Sequence, residues 1–200
     1  MIVRFLKVVQ WIYRAVNTRI STGFLRLLFR LNGIRFGTRC KAIGVPSIRV
    51  SLGGRATFGN NLYWRTGNGE TNVGHLGSRL RVGPGGVLSV GSHVGMSNAT
   101  IVCHESVTIG DHVNIGGGVQ IFDTNFHSLK PEIRNSGKET PADVRTRPVS
   151  IGNGCLIGTN AMICKGVEIG ENAIVGAGSV VVCSIPAGEV WAGNPARKIR

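Results

Sequence analysis

Aliphatic residues return at every sixth position from Ile151 to Val181: Ile151, Ile157, Ile163, Ile169, Val175 and Val181. A second series, Cys155, Ala161, Val167, Ala173, Ser179 and Ile185, runs four residues behind the first. Gly152, Gly158, Gly170 and Gly176 each follow a member of the first series. A six-residue step turns an α-helix through about 600° and scatters such side chains around its axis, so the period excludes a helix. A parallel β-helix accommodates it. Each hexad then forms one flat side of a coil, with the aliphatic residue inward, the small residue at the corner and glycine where the backbone turns. The same phase recurs upstream in Ile109, Ile115 and Ile121 and in Ile101, Val107, Val113 and Val119, with Gly110 and Gly116 in step. An all-β coil is therefore predicted over residues 35–200, with 186–200 as a C-terminal segment.

Upstream the signal weakens. Val82, Leu88 and Val94 are six apart, as are Val90, Met96 and Val102, but the phase shifts by one before Ile109, which implies an irregular corner near Cys103 and His104. Residues 35–80 hold glycines at degraded corners, as terminal turns of a repeat do, and Trp64 reads as an aromatic closing the end of the core. Residues 1–34 have helical periodicity instead. Phe5, Val9, Ile12 and Val16 share one face while Arg4, Lys7, Arg14 and Asn17 share the other. Ser21, Thr22 and Gly23 interrupt that run and predict a second helix carrying Phe24, Leu27, Leu28 and Leu31.

Charge sharpens the division at the N-terminal end. No acidic residue precedes Glu70, whereas 12 of the 23 lysines and arginines do, so nearly all of the net charge of +13 belongs to the first third. A basic amphipathic segment fits a membrane surface, with Trp11 and Tyr13 at the boundary. Packing on the coil or on another copy is the alternative, and no motif for reading nucleic acid is present. No uncharged apolar run approaches the roughly 18 residues that cross a bilayer, and recurrent arginines make a poor signal peptide. Five cysteines without a Cys-x-x-Cys pair read as small core residues in a reducing compartment, which places the protein in the cytoplasm, at the inner face of the membrane.

The repeat stops between Phe122 and Pro148. This stretch holds three prolines and little periodicity, so it leaves the coil as an extended loop, and a loop of this length on a rigid scaffold is a place for chemistry. It contains His127. The segments GVQIFDTNFHSL, RNSG, RPVSIGNGCLIG and IVGAGSVVVCSIPAGEVWAGNPARKIR resemble the hexapeptide-repeat acyltransferases, in particular the maltose and galactoside O-acetyltransferase branch with its exopolysaccharide acetyltransferases, over residues 82–200. The resemblance implies a left-handed coil, a homotrimer with sites built from two chains, acetyl-CoA as acyl donor, and His127 as catalytic base.

That role suits imidazole. A sugar hydroxyl is a weak nucleophile, and its attack on a thioester needs a base that is unprotonated near neutral pH and can then return the proton to the thiolate. Asp123 or Asn125, just before His127, would orient the ring. In the resemblance, Thr159 and Ala177 contact coenzyme A, with Arg197 and Arg200 near its phosphates, where a planar guanidinium donates two bonds at once. His104 stands where the sugar acetyltransferases often place an acceptor-binding aspartate, Met96 replaces a polar residue and Asn98 keeps one, so His104 and Asn98 are the acceptor candidates and a simple maltose- or galactoside-type acceptor is not supported. Val182-Cys183 and Leu156 depart from the usual donor contacts. The expected reaction is O-acetylation of a sugar or glycolipid, as in a lipid-linked surface-polysaccharide precursor, with the oxyanion on a backbone amide and no metal. Two rivals share the coil: a carbonic-anhydrase-like metal hydratase, which needs three zinc-binding histidines, and a β-helical membrane scaffold.

Overall fold

The computed structural model describes residues 2–67 and 77–200; His75 and Glu70 lie outside the described residues. After helix α1 (Ile2–Leu31) the chain winds through triangular rungs, three strands to each. The first rung is β1 (Arg35–Phe36), β2 (Lys41–Ile43) and β3 (Ser47–Val50), and the second is β4 (Arg55–Phe58), β5 (Tyr63–Arg65) and β6 (Arg79–Val82). The third is β7 (Val87–Val90), β8 (Gly95–Ser97) and β9 (Thr100–Cys103), and the fourth is β10 (Ser106–Ile109), β11 (Asn114–Ile115) and β12 (Gln120–Phe122). A loop with a short helix, α2 (Pro131–Arg134), intervenes. The fifth rung is β13 (Val149–Ile151), β14 (Leu156–Ile157) and β15 (Met162–Ile163), and the sixth is β16 (Glu168–Ile169), β17 (Ile174–Val175) and β18 (Val180–Val181). An antiparallel pair, β19 (Val190–Gly193) and β20 (Ala196–Lys198), ends the chain.

Stacking follows from the period. Ile151 pairs with Ile169 and Ile157 with Val175, so 18 residues, three hexads, bring each side chain back above its counterpart. First, second and third strands of successive rungs build three parallel sheets. Every member of the two inward series from Ile151 to Ile185 is buried, the core running as one column of Val, Ile, Leu, Cys and Ala. Gly158 shows why glycine recurs at corners: a Cβ there would sit 2.5 Å from the backbone nitrogen of Ala177 in the next rung.

Three expectations need correction. Residues 2–31 form one helix, not two, because Ser21 and Thr22 do not cap a new helix. Thr22 Oγ1 accepts from the Ala42 N–H at 3.0 Å and Ser21 Oγ from Gly44 N–H at 3.0 Å, so these hydroxyls fasten α1 to the second sheet. Phe29 of α1 then closes the open end of the coil, stacked 4.8 Å from Phe58 and close to the buried Trp64. Val102 faces outward. Met96 to Ile101 is one residue shorter than Ile115 to Ile121, so the slip begins at Asn98 and is made up at His104, leaving Ile101 and Cys103 inward. The loop after Phe122 is not wholly extended, since α2 and a single 3-10 turn at Pro141–Asp143 fold it.

Candidate active site

The loop leaves from the corner that joins the third sheet to the first, directly under the His104 corner of the rung above. Its two limbs are zipped at the base: Arg147 N–H donates to Asp123 O, Asn125 N–H to Arg145 O, and Thr124 bridges Thr146. Phe126 takes a left-handed turn (φ 65°), with its N–H on Thr124 Oγ1, and so swings the next residue away from the coil. That residue is His127. Glu139 returns toward it just before the 3-10 turn, which Thr140 and Asp143 hold through a reciprocal capping box.

Glu139 bridges the loop to itself. One carboxylate oxygen accepts the backbone N–H of Ser128, and the other, Oε2, lies 2.8 Å from His127 Nδ1. These bonds, the Ser128 amide first and the imidazole second, hold the Glu139 carboxyl below the usual glutamate range. An ionised carboxylate only accepts, so Nδ1 carries a proton, and in the neutral ring Nε2 keeps a bare lone pair. The His127 side chain is 68% exposed, which leaves that lone pair free to meet a second molecule. Such an arrangement has the geometry that a general base requires.

Beside it lies a cavity of about 440 Å³ walled by Pro84, His104, Phe126, Glu139, Pro141 and Val144. A second cavity of about 370 Å³ shares Pro84, His104 and Phe126 and adds Arg49 and Arg81. A larger cavity, about 840 Å³, touches none of these residues. It lies between α1 and the first two rungs, among Arg19, Arg26, Arg39 and Lys41.

Asp123 does not orient His127. Its carboxylate is fully buried and turned back into the coil, where it accepts the N–H groups of His104, Glu105 and Ser106 at 2.7 to 3.0 Å. A buried carboxylate needs such donors, and this one ties down the corner after β9 where the shifted phase is made up. Its field adds to burial in pushing the Cys103 thiol up to about 12, so that cysteine stays protonated and unreactive. Asn125 meets the opposite limb through its N–H, and Glu139 stands at Nδ1 instead.

His104 and Asn98, paired as acceptor candidates, sit at opposite ends of β9. Asn98 is 2% exposed in the corner before it and its Oδ1 accepts Gly67 N–H, so its carbonyl serves the coil; only His104 reaches the cavity. Thr159 and Ala177 stack on one another at that second-to-third corner, Gly178 N–H donating to Thr159 O at 2.8 Å. Arg197 and Arg200 are exposed on the C-terminal segment, and Arg197 Nη1 meets its own neighbour's carbonyl. The donor positions and the His127 loop are thus on different corners of one chain. Glu139 escaped the sequence because the loop holds several acids and only its fold selects one, and Arg49 and Arg81 because no spacing rule links residues that a coil brings together from separate rungs.

Comparison with known proteins agrees with this architecture. Residues 148–183 match the family described as bacterial transferase hexapeptide (six repeats). The chain is 39% identical over 132 residues to the galactoside O-acetyltransferase of Escherichia coli, the match spanning 62% of each chain. It is 33% identical over 183 residues to that organism's putative lipopolysaccharide biosynthesis O-acetyl transferase WbbJ, covering 89% of this chain and 88% of that one. Among solved structures, a galactoside acetyltransferase in complex with coenzyme A superposes with a TM-score of 0.57 at 27% identity, over 88% of this chain and 68% of that chain. The N-acyltransferase AntD of Bacillus cereus, in complex with dTDP and 3-hydroxybutyryl-CoA, shares the fold with a TM-score of 0.64 at 23% identity, over 88% of this chain and 87% of that one.

Proposed function

The chain belongs to the hexapeptide-repeat acyltransferases, in the branch of the galactoside O-acetyltransferases, and shares their left-handed parallel β-helix; on that premise we propose that it moves an acetyl group from acetyl-CoA to a sugar hydroxyl with His127 as general base. The observation that carries this is the His127–Glu139 pair, an exposed imidazole whose Nδ1 is held at 2.8 Å by a carboxylate. In the reaction Nε2 takes the hydroxyl proton as the sugar oxygen attacks the thioester carbonyl, and the tetrahedral intermediate places its oxyanion on a backbone amide. Its collapse expels the coenzyme A thiolate, and His127 Nε2 returns the proton to that sulfur. Glu139 stabilises the imidazolium in between without itself taking the proton.

Acetyl-CoA belongs at the second-to-third corner, where Gly176, Ala177 and Gly178 let the pantetheine arm lie close to the backbone and Arg197 and Arg200 face its phosphates. That corner and the root of the loop are separated by the width of the third sheet, a hexad of extended chain or roughly 20 Å. One chain's His127 therefore serves a thioester held by its neighbour, in a homotrimer. The relatives named as acetyltransferases of galactosides and of lipopolysaccharide support a sugar acceptor, and a lipid-linked precursor of surface polysaccharide fits the basic helix.

α1 leaves Trp11 71% exposed along with Tyr13, Ile20 and Leu31, and beside it are four cations of the large groove that enter neither of the two ion pairs among the described residues. No described helix is long and apolar enough to cross a membrane; the exposed apolar and basic side chains of α1 support a place for it on the inner face of the cytoplasmic membrane. A metal hydratase needs three ligands at one point, and no such group of His, Cys, Asp or Glu occurs among the described residues. The decisive test is His127→Ala. Thiol release from acetyl-CoA should fall by about 10²- to 10⁴-fold while folding and coenzyme A binding persist; undiminished turnover would remove the assignment.

A further inference from the structure

The outer face of the third sheet carries a column that the general-base reading does not use. Arg49 pairs in register with Arg81, Arg81 with Val102, and Val102 with Phe122, so four outward side chains lie one above another on adjacent rungs. Phe126 packs on the last of them with ring centroids 5.3 Å apart. The upper half is cationic and the lower half is an apolar and aromatic platform; Arg49, Arg81, Val102 and Phe126 line the cavity that shares His104 and Phe126 with the cleft beside Glu139, and Phe122 backs Phe126.

Like charges directly opposite on neighbouring strands destabilise a sheet. Here two arginines face each other and Arg79 adds a third charge, pushing the Arg81 guanidinium below its ordinary value after burial has begun to do so. Among the described residues neither ion pair includes any of the three, and the hydrogen bonds of the Arg81 guanidinium go to Ser47 and the carbonyl of Leu80. Among the described residues this positive charge beside the cleft has no acidic partner, an arrangement that a bound anion relieves.

We propose that this column seats the acceptor, and that the acceptor is a phosphorylated sugar: Arg49 and Arg81 take the phosphate, and Val102, Phe122 and Phe126 cover the sugar ring. Two facing guanidinium groups match the two negative charges of a phosphate monoester better than the single charge of a uronic acid, and each fork can give two parallel bonds to phosphate oxygens. The proposal rests on the acetyl-transfer reading for the fate of the sugar hydroxyl, and on the column alone for its charge.

Two measurements on the full chain separate those halves. Thermal denaturation is followed with galactose 1-phosphate, galacturonate, galactose or inorganic phosphate at one ionic strength, for the wild type, Arg49→Gln and Arg81→Gln. Galactose 1-phosphate should raise the wild-type Tm by about 3 °C or more at ten times its Kd, galacturonate and phosphate less, and galactose not at all, with the gain lost in both variants and partly restored in Arg81→Lys. Thiol release from acetyl-CoA should then show a KM for galactose 1-phosphate about ten- to a hundredfold higher in the glutamine variants, with no such change in the KM for acetyl-CoA. Galactose stabilising as well as its phosphate, or phosphate alone stabilising as well as the sugar ester, overturns the phosphorylated-sugar subsite even where transfer occurs. Stabilisation that depends on the arginines without any thiol release overturns acetyl transfer and leaves the phosphate site standing.

Discussion

At the scale of single residues, two carboxylates near one histidine have opposite employment. Glu139 holds the ring; Asp123 holds the coil. Glu139→Gln should lower kcat by about 10- to 100-fold with little effect on KM, because an amide neither fixes the Nδ1–H tautomer nor stabilises imidazolium. Its pH behaviour has a definite sign. The folded carboxyl is depressed, so what the clasp contributes to loop order is fully present above the ordinary glutamate value of 4.5 and is lost as pH falls through the lower folded value. Exchange of the Ser128 amide followed against pH should show that acid opening in the wild type and not in Glu139→Gln. Asp123→Ala should instead strip three backbone N–H groups of their acceptor and cost about 2–4 kcal/mol, a fall in Tm that His127→Ala does not share. His127 was legible as a candidate because it stood alone where a strict repeat broke, its role as base coming from the family resemblance. Its partner was not, since the loop offers several acids and only the fold of that loop around Ser128 and the 3-10 turn selects Glu139.

Elements make a sharper contrast between what a repeat writes into sequence and what packing adds. The hexad period dictated inward residues, corner glycines and rung length, because every rung must place the same atoms over the one before. Gly158→Ala should therefore cost about 1–3 kcal/mol, as its methyl would meet the Ala177 nitrogen at 2.5 Å and the carbonyl carbon of Gly176 at 2.7 Å, backbone atoms that cannot swing aside. Gly23 looks equally suspicious as a helix breaker. Yet no atom lies within 4 Å of its would-be Cβ, and Gly23→Ala should stabilise α1 by up to about 1 kcal/mol, a rise of about 2–4 °C in Tm. Thermal denaturation of the two variants checks both signs. The Ser-Thr-Gly run read as a break because those hydroxyls commonly cap helices; their actual partners, Ala42 in β2 and Gly44 just after it, are ones that no local pattern could bring alongside. The outward turn of Val102 was hidden for a related reason: a one-residue slip inverts which face a strand shows, and only the register with β6 and β12 reveals where it falls.

For the whole molecule, the geometry of a triangular prism decides how many chains make a site. The loop roots at the third-to-first corner and the small-residue ladder of Thr159 and Ala177 runs along the second-to-third corner, so the third sheet stands between them in every copy. On the proposed reading, a thioester lying on the ladder meets an imidazole at the loop when the corners of two prisms face each other, and a closed ring of three would satisfy every chain at once. This arrangement makes complementation possible. His127→Ala lacks the base but keeps its donor corner; Ala177→Trp blocks the donor corner but keeps the base. Each alone should be inactive, whereas subunits dissociated together and reassembled at equal concentration should regain thiol-release activity, because in a mixed ring some loops of the blocked variant face open corners of the other. Random assembly of a two-chain site makes about one site in four competent, so recovery should approach a quarter of the wild-type rate and should vanish when either variant is reassembled with itself. A site contained in one chain gives no recovery at any mixing ratio, since each chain then carries its own defect.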